Sequence, residues 1–508
     1  MRMMPSDFAL STTRPATLVA GFAIALLAAV VVATINPIGY VGSGADDEQY
    51  LAAARCWIAS GQPCVPASHW WTRWTVFAPI ALFTSLLGES RWSVGIGPGL
   101  YWLAALGLSG WLGSLWFGWR AGAIAMALLG TTPIIAASAF DPNADLAEVA
   151  FQAAALVAAT YAYRRHSRGL ALLAGVAAAL ALQSRDTTLL FLVVSGGAWL
   201  LLDPQRRRVL LWAVAALIAT MSAELLVYTV AAGDPLLRYR LALGHTNIPS
   251  FELPAGFEST RGPLFNPDYM RSWKREAHVT LWWPIDPWLN LIASTRCAAL
   301  IFTAGLSFAM FRRHLPPVAR QRAMWLAAAA ACVALLLVYG LAIDPKPRMF
   351  MSLWAAMALI SGALLAAGAK SAARPLAITL IVLPAILGVQ VMRIYPASAG
   401  AERRAVVWIA KYGQDIEVDQ GAASYLTLLP QARALASRGS GRRYLIATSG
   451  AECEANIQIH PGTGPDGRVI DAISGTQKNQ GYLCLFEYLP ERAGIVGRRP
   501  ASVPVAAR

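Results

Sequence analysis

Charge is scarce in this chain of 508 residues. Only 14% are Asp, Glu, Lys or Arg, against roughly 25% in a soluble domain. With 56% hydrophobic residues and a mean hydropathy of +0.49, this excludes an ordinary soluble enzyme. Zinc-type cysteine pairs, a P-loop and a Rossmann glycine pattern are also missing, so nucleotide-driven chemistry has no support. A secretory cleavage site is absent as well. Arg2 and Arg14 precede an apolar stretch as in a signal peptide, but the stretch is too long and Thr34-Ile35-Asn36-Pro37 is a poor site. It reads as a retained first helix.

What the chain has is long apolar runs. Lipid admits only helices or closed barrels, and these runs are too long for barrel strands, so the chain is a polytopic α-helical membrane protein. The net charge of +14 fits positive cytoplasmic loops rather than nucleic acid. Basic residues cluster at Arg120, Arg164-Arg165-His166-Ser167-Arg168, Arg206-Arg207-Arg208, Arg312-Arg313-His314 with Arg320 and Arg322, and Lys370 with Arg374. Placing every cluster in the cytoplasm gives about 11 transmembrane helices, at 17–38, 94–117, 121–140, 145–163, 168–184, 187–202, 209–231, 289–311, 323–343, 349–369 and 375–395. The N-terminus is then cytoplasmic. Residues 39–93, 141–145, 185–186, 232–288 and 344–348 face outward.

Two domains follow from this pattern. Residues 1–395 form the membrane domain, with a first outer loop at 39–93 and a long outer loop at 232–288. Residues 396–508 form a small extracytoplasmic α/β domain, with a helix expected at 402–412 and strands at 444–448, 456–460 and 482–488. The first outer loop is itself helical in pattern. Tyr50, Leu51, Ala54 and Trp57 share one helix face, and Phe77 to Leu87 is a second, short apolar stretch. Both suit interfacial helices, with Trp57, Trp70, Trp71 and Trp74 at headgroup depth.

Carboxylates are costly in lipid and collect where they have a function. Asp46-Asp47-Glu48 follows the first apolar run, and Asp141 and Asp145 follow a later one on the same side. Asp47 is the candidate general base, since deprotonating a hydroxyl needs a carboxylate within reach. The competing reading is helix capping, for Asp46 or Asp47 and again for Asp145. Asp47 and Asp145 together are also candidate oxygen ligands for one divalent cation. His69, beside Trp70 and Trp71, reads more readily as interfacial than as catalytic. Glu224, inside a span, is expected to pair with Ser222 or a polar group of another helix. His245-Thr246-Asn247 and Trp282-Trp283-Pro284, on the long outer loop, are candidate lining residues of a substrate site, though the aromatic cluster reads more readily as an interface belt. Of six cysteines, Cys297 and Cys332 fall in spans as apolar fillers. Cys56 with Cys64, and Cys453 with Cys484, share outer segments and are expected to form disulfides.

A family resemblance adds to this reading. Asp47-Glu48, Tyr50, Gly61, Arg73 and Phe77 through Leu87-Gly88 follow the order of the first outer loop in the GT-C integral-membrane glycosyltransferases, in particular the aminoarabinose transferase and protein O-mannosyltransferase branch. Phe117-Gly118-Trp119-Arg120-Ala121-Gly122, Thr131-Thr132-Pro133, Asp145, Ser184-Arg185 and Pro347-Arg348-Met349-Phe350 resemble later motifs of that family. The likeness covers roughly residues 15–205 well and 340–370 loosely. The chain departs from it at Thr72-Arg73-Trp74, where the family has Lys-Pro-Pro, and at Asp141-Pro142-Asn143-Ala144-Asp145.

The resemblance implies a GT-C-like fold with residues 1–395 as the catalytic domain. It implies a glycosyltransferase of the bacterial inner membrane that takes a sugar from a polyprenyl-phosphate donor. The acceptor would be an envelope lipid such as lipopolysaccharide, a glycan or a protein, at the outer, periplasmic face, and transfer would invert the anomeric centre. Asp47 would be the base, with Asp46, Glu48 and Asp145 as further catalytic carboxylates. Arg73, Arg185, Lys346 and Arg348 would bind the departing phosphate. For Arg73 and Arg348 the competing role is headgroup anchoring, and for Arg185 a local ion pair with Asp186. Tyr50, His69 and Asp141 would line the substrate. No cofactor is required on this reading, though a divalent cation is compatible with it. Alternatives are a polysaccharide polymerase or ligase of similar fold, a lipid-linked sugar flippase and a membrane scaffold. A flippase would need inverted repeats and mid-membrane sites, which the sequence does not show.

Overall fold

Backbone groups in an apolar setting must bond within their own segment, and the apolar runs accordingly fold as helices. The computed structural model describes residues 46–62, 64–139, 141–202, 206–244, 281–282, 284–340, 346–394, 400–418, 444–449, 467–474 and 482–488, with scattered positions between 19 and 30. The expected first span, the strand at 456–460 and His245-Thr246-Asn247 lie largely or wholly outside them.

The chain divides into two compact units, Met1–Gly39 with Gln49–Tyr395, and Tyr40–Glu48 with Pro396–Arg508. In the first unit, α1 (Asp46–Ser60, entering from the other unit) leads through a 3₁₀ turn (His69–Thr72) to α2 (Trp74–Leu87). Then come α3 (Arg91–Phe117), α4 (Trp119–Thr131), α5 (Pro133–Ala137), α6 (Ala144–Arg165), α7 (Arg168–Ser184) and α8 (Thr188–Leu202). They are followed by α9 (Arg206–Ala232), α10 (Leu237–Gly244), α11 (Asp286–Ala293), α12 (Ala298–Phe311), α13 (Pro317–Leu335), α14 (Met351–Gly368) and α15 (Arg374–Ile394). Among the described residues, six helices are long and apolar enough to cross a membrane, or up to seven if a bent pair counts as one span.

Two expected spans are broken. The run 121–140 divides at Thr132-Pro133. Pro133 has no N–H to give and forces Thr132 into an extended conformation, with φ −71° and ψ 120°, so α4 stops and α5 starts with Pro at its first position. The run 289–311 bends by 102° between α11 and α12. The Arg296 carbonyl in that break accepts from Ile134 N–H in the first turn of α5, at 3.3 Å. Each break thus satisfies a backbone group that the other exposes.

Small residues bring the helices together. Between α3 and α4, Gly122 lies against the Gly110 carbonyl and Ser114, and a Cβ there would overlap both. Gly175 on α7 meets the Ala213 carbonyl on α9 in the same way. Such contacts replace the hydrophobic drive that lipid removes. The core gathers Trp102, Leu106, Leu128, Ile135, Phe350 and Trp354 from α3, α4, α5 and the start of α14.

In the second unit, α16 (Gly400–Tyr412) precedes a four-stranded sheet of β1 (Ile416–Val418), β2 (Tyr444–Ser449), β3 (Gly467–Ser474) and β4 (Tyr482–Tyr488). The order is β1-β2-β4-β3, with β1 parallel to β2 and the other pairs antiparallel. Ala405 and Trp408 of α16 are buried with Ile416, Ile446 and Leu485 of the sheet. β1 and β3 are strands that the sequence pattern did not announce.

Candidate active site

The site is built where several helices of the first unit begin or end. α7 ends at Ser184, and Arg185 leaves it in an extended conformation. Its guanidinium is buried, 7% exposed, and donates to Asp145 in the first turn of α6. It also donates to the Arg348 carbonyl at 3.3 Å, contacts Met349 Sδ, and lies 3.9 Å from Glu148 Oε2. Asp145 is not the cap of α6. Asn143 is, accepting from the backbone N–H of Asp145 and Leu146, which frees the Asp145 carboxylate for Arg185.

A polar chain runs from this pair into the bundle. Glu148 Oε1 accepts from the Thr188 hydroxyl at 2.6 Å and from Gln152 Nε2 at 3.2 Å, and Gln152 Oε1 accepts from Ser352 at 2.7 Å. Sequence reasoning missed Glu148. The signal was there: it stands three residues past Asp145, on the same helix face, inside an apolar span.

A second cation stands nearby. Arg73 follows the 3₁₀ turn and donates to the Tyr50 hydroxyl at 2.6 Å. Two residues on, the Thr75 hydroxyl bonds Ser184, beside Arg185, at 2.8 Å. Behind both lies Arg238 of α10, only 1% exposed. It pairs with Asp186 at 2.9 Å and Glu224 at 3.0 Å. Burial alone would lower its pKa, but these carboxylates hold it above the ordinary value. The expected local pair of Arg185 with Asp186 is therefore replaced by Asp186 with Arg238. Glu224 finds its partner on another helix, one of the two options expected, since Arg238 and Tyr228 bond it.

The remaining candidates are placed as follows. Asp47 is buried, 1% exposed, and Asp46 half-buried. Both stand inside the first turn of α1 rather than at its cap. The Glu48 side chain lies outside what the structure describes. Lys346 and Arg348 are half-buried around the 3₁₀ turn Pro347–Phe350. His69 is buried against Trp70, with ring centroids 3.8 Å apart and planes tilted by 41°. Asp141 is half-buried, and its carbonyl accepts from Asn143. Trp57 and Trp74 pack edge-on to each other, and Trp74 donates to Tyr228 at 2.7 Å. An apolar groove of about 910 Å³ runs beside them, lined by Leu82, Leu100, Tyr101 and Phe151 among others.

One oxygen of the Asp145 carboxylate is engaged by the Arg185 guanidinium. Among the described residues no group of three His, Cys, Asp or Glu side chains is spaced for a metal. Cys56 and Cys64 form a disulfide with Cα atoms 6.1 Å apart. Cys484 is disulfide-bonded too, while Cys453 lies outside the described residues.

Residues 75–231 match a family model described as dolichyl-phosphate-mannose-protein mannosyltransferase. No curated protein matches the chain. Among solved structures, the oligosaccharyltransferase of Archaeoglobus fulgidus is 13% identical, covers 83% of this chain and 60% of its own, and has a TM-score of 0.47. This chain thus spans about 60% of that enzyme's length. ArnT from Cupriavidus metallidurans, in the apo state, is 15% identical over 92% of this chain and 97% of its own, with a TM-score of 0.39. With undecaprenyl phosphate bound, the figures are 16%, 93%, 98% and 0.40. The matched segment runs from α2 to α9 and includes Asp145, Arg185 and Glu224. Over residues 75–231 the chain is therefore similar to that mannosyltransferase family.

Proposed function

We propose that this enzyme transfers a sugar from a polyprenyl-phosphate donor to an envelope lipid, glycan or protein at the outer face of a bacterial inner membrane. The observation that carries the reading is the gathering of Arg73, Arg185 and the Pro347–Phe350 turn at one end of the helices, with Arg185 inside and Arg73 just before a segment matched by a family named for a sugar on a polyprenyl phosphate. In the reaction, the acceptor hydroxyl attacks the anomeric carbon and Asp47 takes its proton, with Asp46 and Glu48 beside it. The bond from that carbon to the phosphate oxygen breaks in line, the centre inverts, and the lipid phosphate leaves with the electron pair. Arg73, Lys346 and Arg348 meet the charge that develops there. Arg185, held by Asp145, contributes one edge of the same cationic surface. The apolar groove beside Trp74 suits a polyprenyl chain. The Cys56–Cys64 disulfide supports an oxidising, outer compartment for the first loop.

The test is transfer of labelled sugar from polyprenyl phosphate by purified enzyme, with and without chelator. Asp47→Asn keeps the size of the side chain and removes the base, and a loss of roughly 10²–10⁴ in rate is expected. Full activity of Asp47→Asn would remove Asp47 as the base. Full activity of carboxamide variants at Asp46, Asp47, Glu48 and Asp145, each tested singly, would end the reading.

A further inference from the structure

Arg238 is nearly sealed from solvent, yet it is bonded to both segments that carry the candidate phosphate ligands. One Nη atom donates to the Thr72 carbonyl at 3.3 Å, one residue before Arg73. The other donates to the carbonyls of Leu182 at 2.8 Å and Gln183 at 3.2 Å, in the last turn before Arg185. Nε and Nη2 hold Asp186, the residue after Arg185, at 3.1 and 2.9 Å. Glu224, at 3.0 Å from Nη1, fixes the guanidinium to α9, and Tyr228 of the same helix adds a bond to the Thr72 carbonyl at 3.4 Å.

We propose that Arg238 is the positioning residue of the phosphate site, setting the separation of the Arg73 and Arg185 guanidiniums through the backbone before each. Two features argue for this. The carbonyls it engages end α7: the Arg185 N–H closes the last helical bond on the Ala181 carbonyl at 3.0 Å, and the Leu182 and Gln183 carbonyls beyond it are held by Arg238. Its N–H groups are all taken, which leaves it no contact with substrate. A planar fork can hold a carboxylate and several carbonyls at once, a task that an ammonium group performs only in part. The proposal rests on the phosphate-site reading above.

The test has two readouts. Nitroxide labels at Leu82 on α2 and Leu189 on α8, both exposed, report the separation of the two segments by pulsed spin–spin distance measurement. The exposed Cys332 is replaced by Ser first. Arg238→Met is expected to broaden or shift the distance distribution, and Arg238→Lys to do so less. In transfer assays Arg238→Met is expected to lower kcat/KM by roughly 10²-fold, the scale of an ångström-sized misplacement. Arg238→Lys is expected to recover part of the loss. Asp186→Asn, which keeps the fork, covers the case in which Arg238→Met does not fold: it too is expected to broaden the distribution and raise KM. An unchanged distribution in the folded variants overturns the proposal, and so does a broadened one with unchanged kinetics. If the unaltered enzyme transfers no sugar, the functional reading fails, while the distances still decide whether Arg238 sets the geometry.

Discussion

Arg185 and Asp145 place opposite charges in a dry setting, where the arithmetic of ion pairs is least forgiving. Desolvation opposes each charge alone, so the pair is tolerated only while both members remain. Removing one is therefore expected to destabilise more than removing both. Arg185→Met leaves Asp145 beside Glu148, two carboxylates within one turn of α6. Its loss should be on the order of 3–5 kcal/mol. The double variant Arg185→Met with Asp145→Asn should recover part of this. Thermal unfolding of the purified set, analysed as a double-mutant cycle, checks it, and strict additivity would show that the pair contributes nothing. Asp145 and Arg185 were legible in the sequence as charges on one side of a membrane, but their pairing was not. Which carboxylate meets which guanidinium depends on where α6 and α7 cross, and spacing along the chain does not encode that. Arg238 and Glu224 left a clearer trace. An arginine outside, where positive charge is not favoured, and a carboxylate within a span each call for a partner.

Helices of the membrane unit were legible because their cause is local: each is an apolar run bounded by charge. The observed α3, α6, α7, α9 and α14 fall within a few residues of the expected spans. The breaks at Thr132-Pro133 and Ser294–Cys297 were not foreseen. An apolar run gives no hint that its backbone groups will be satisfied by another helix, and here Ile134 and Arg296 satisfy each other. Helix contacts rest on small residues instead, and that is testable at Gly122. A side chain there meets the Gly110 carbonyl and Ser114, which belong to backbone and a bonded hydroxyl and have little room to yield. Gly122→Leu is expected to cost at least roughly 1–3 kcal/mol by overpacking. The readout is a lowered midpoint of thermal aggregation in detergent, with Gly107→Leu on the same bundle as the control, since nothing lies within 4 Å of a Cβ at that position. Equal effects at the two positions would sink the close-packing account.

At the scale of the whole membrane unit, charge is sorted between the two ends of its helices. α6 has Asp145 in its first turn and Arg164 in its last. Arg164 donates to the Leu115 carbonyl and Arg322 to the Trp116 carbonyl, both at the far end of α3. The site residues Arg73, Arg185 and Arg238 are bonded at the opposite end, near the starts of α2, α6 and α8. Arg73, Arg185 and Arg238 at that site end are held by Tyr50 or by carboxylates, whereas the basic clusters at the other end outnumber their acidic neighbours. Positive charge that lacks acidic partners is retained on the cytoplasmic side. We therefore expect the site end to face outward. α15 starts beside the basic cluster of Lys370 and Arg374, so its other end at Ile394 is expected on the outer side. Alkaline phosphatase fused after residue 400 should be active, because it matures only where disulfides form. The same fusion after Arg207, within a basic cluster, should be silent. The reverse pattern would turn the site toward the cytoplasm, leave the Cys56–Cys64 disulfide in a reducing compartment, and remove the outer-face part of the proposed function while leaving the ion-pair geometry untouched.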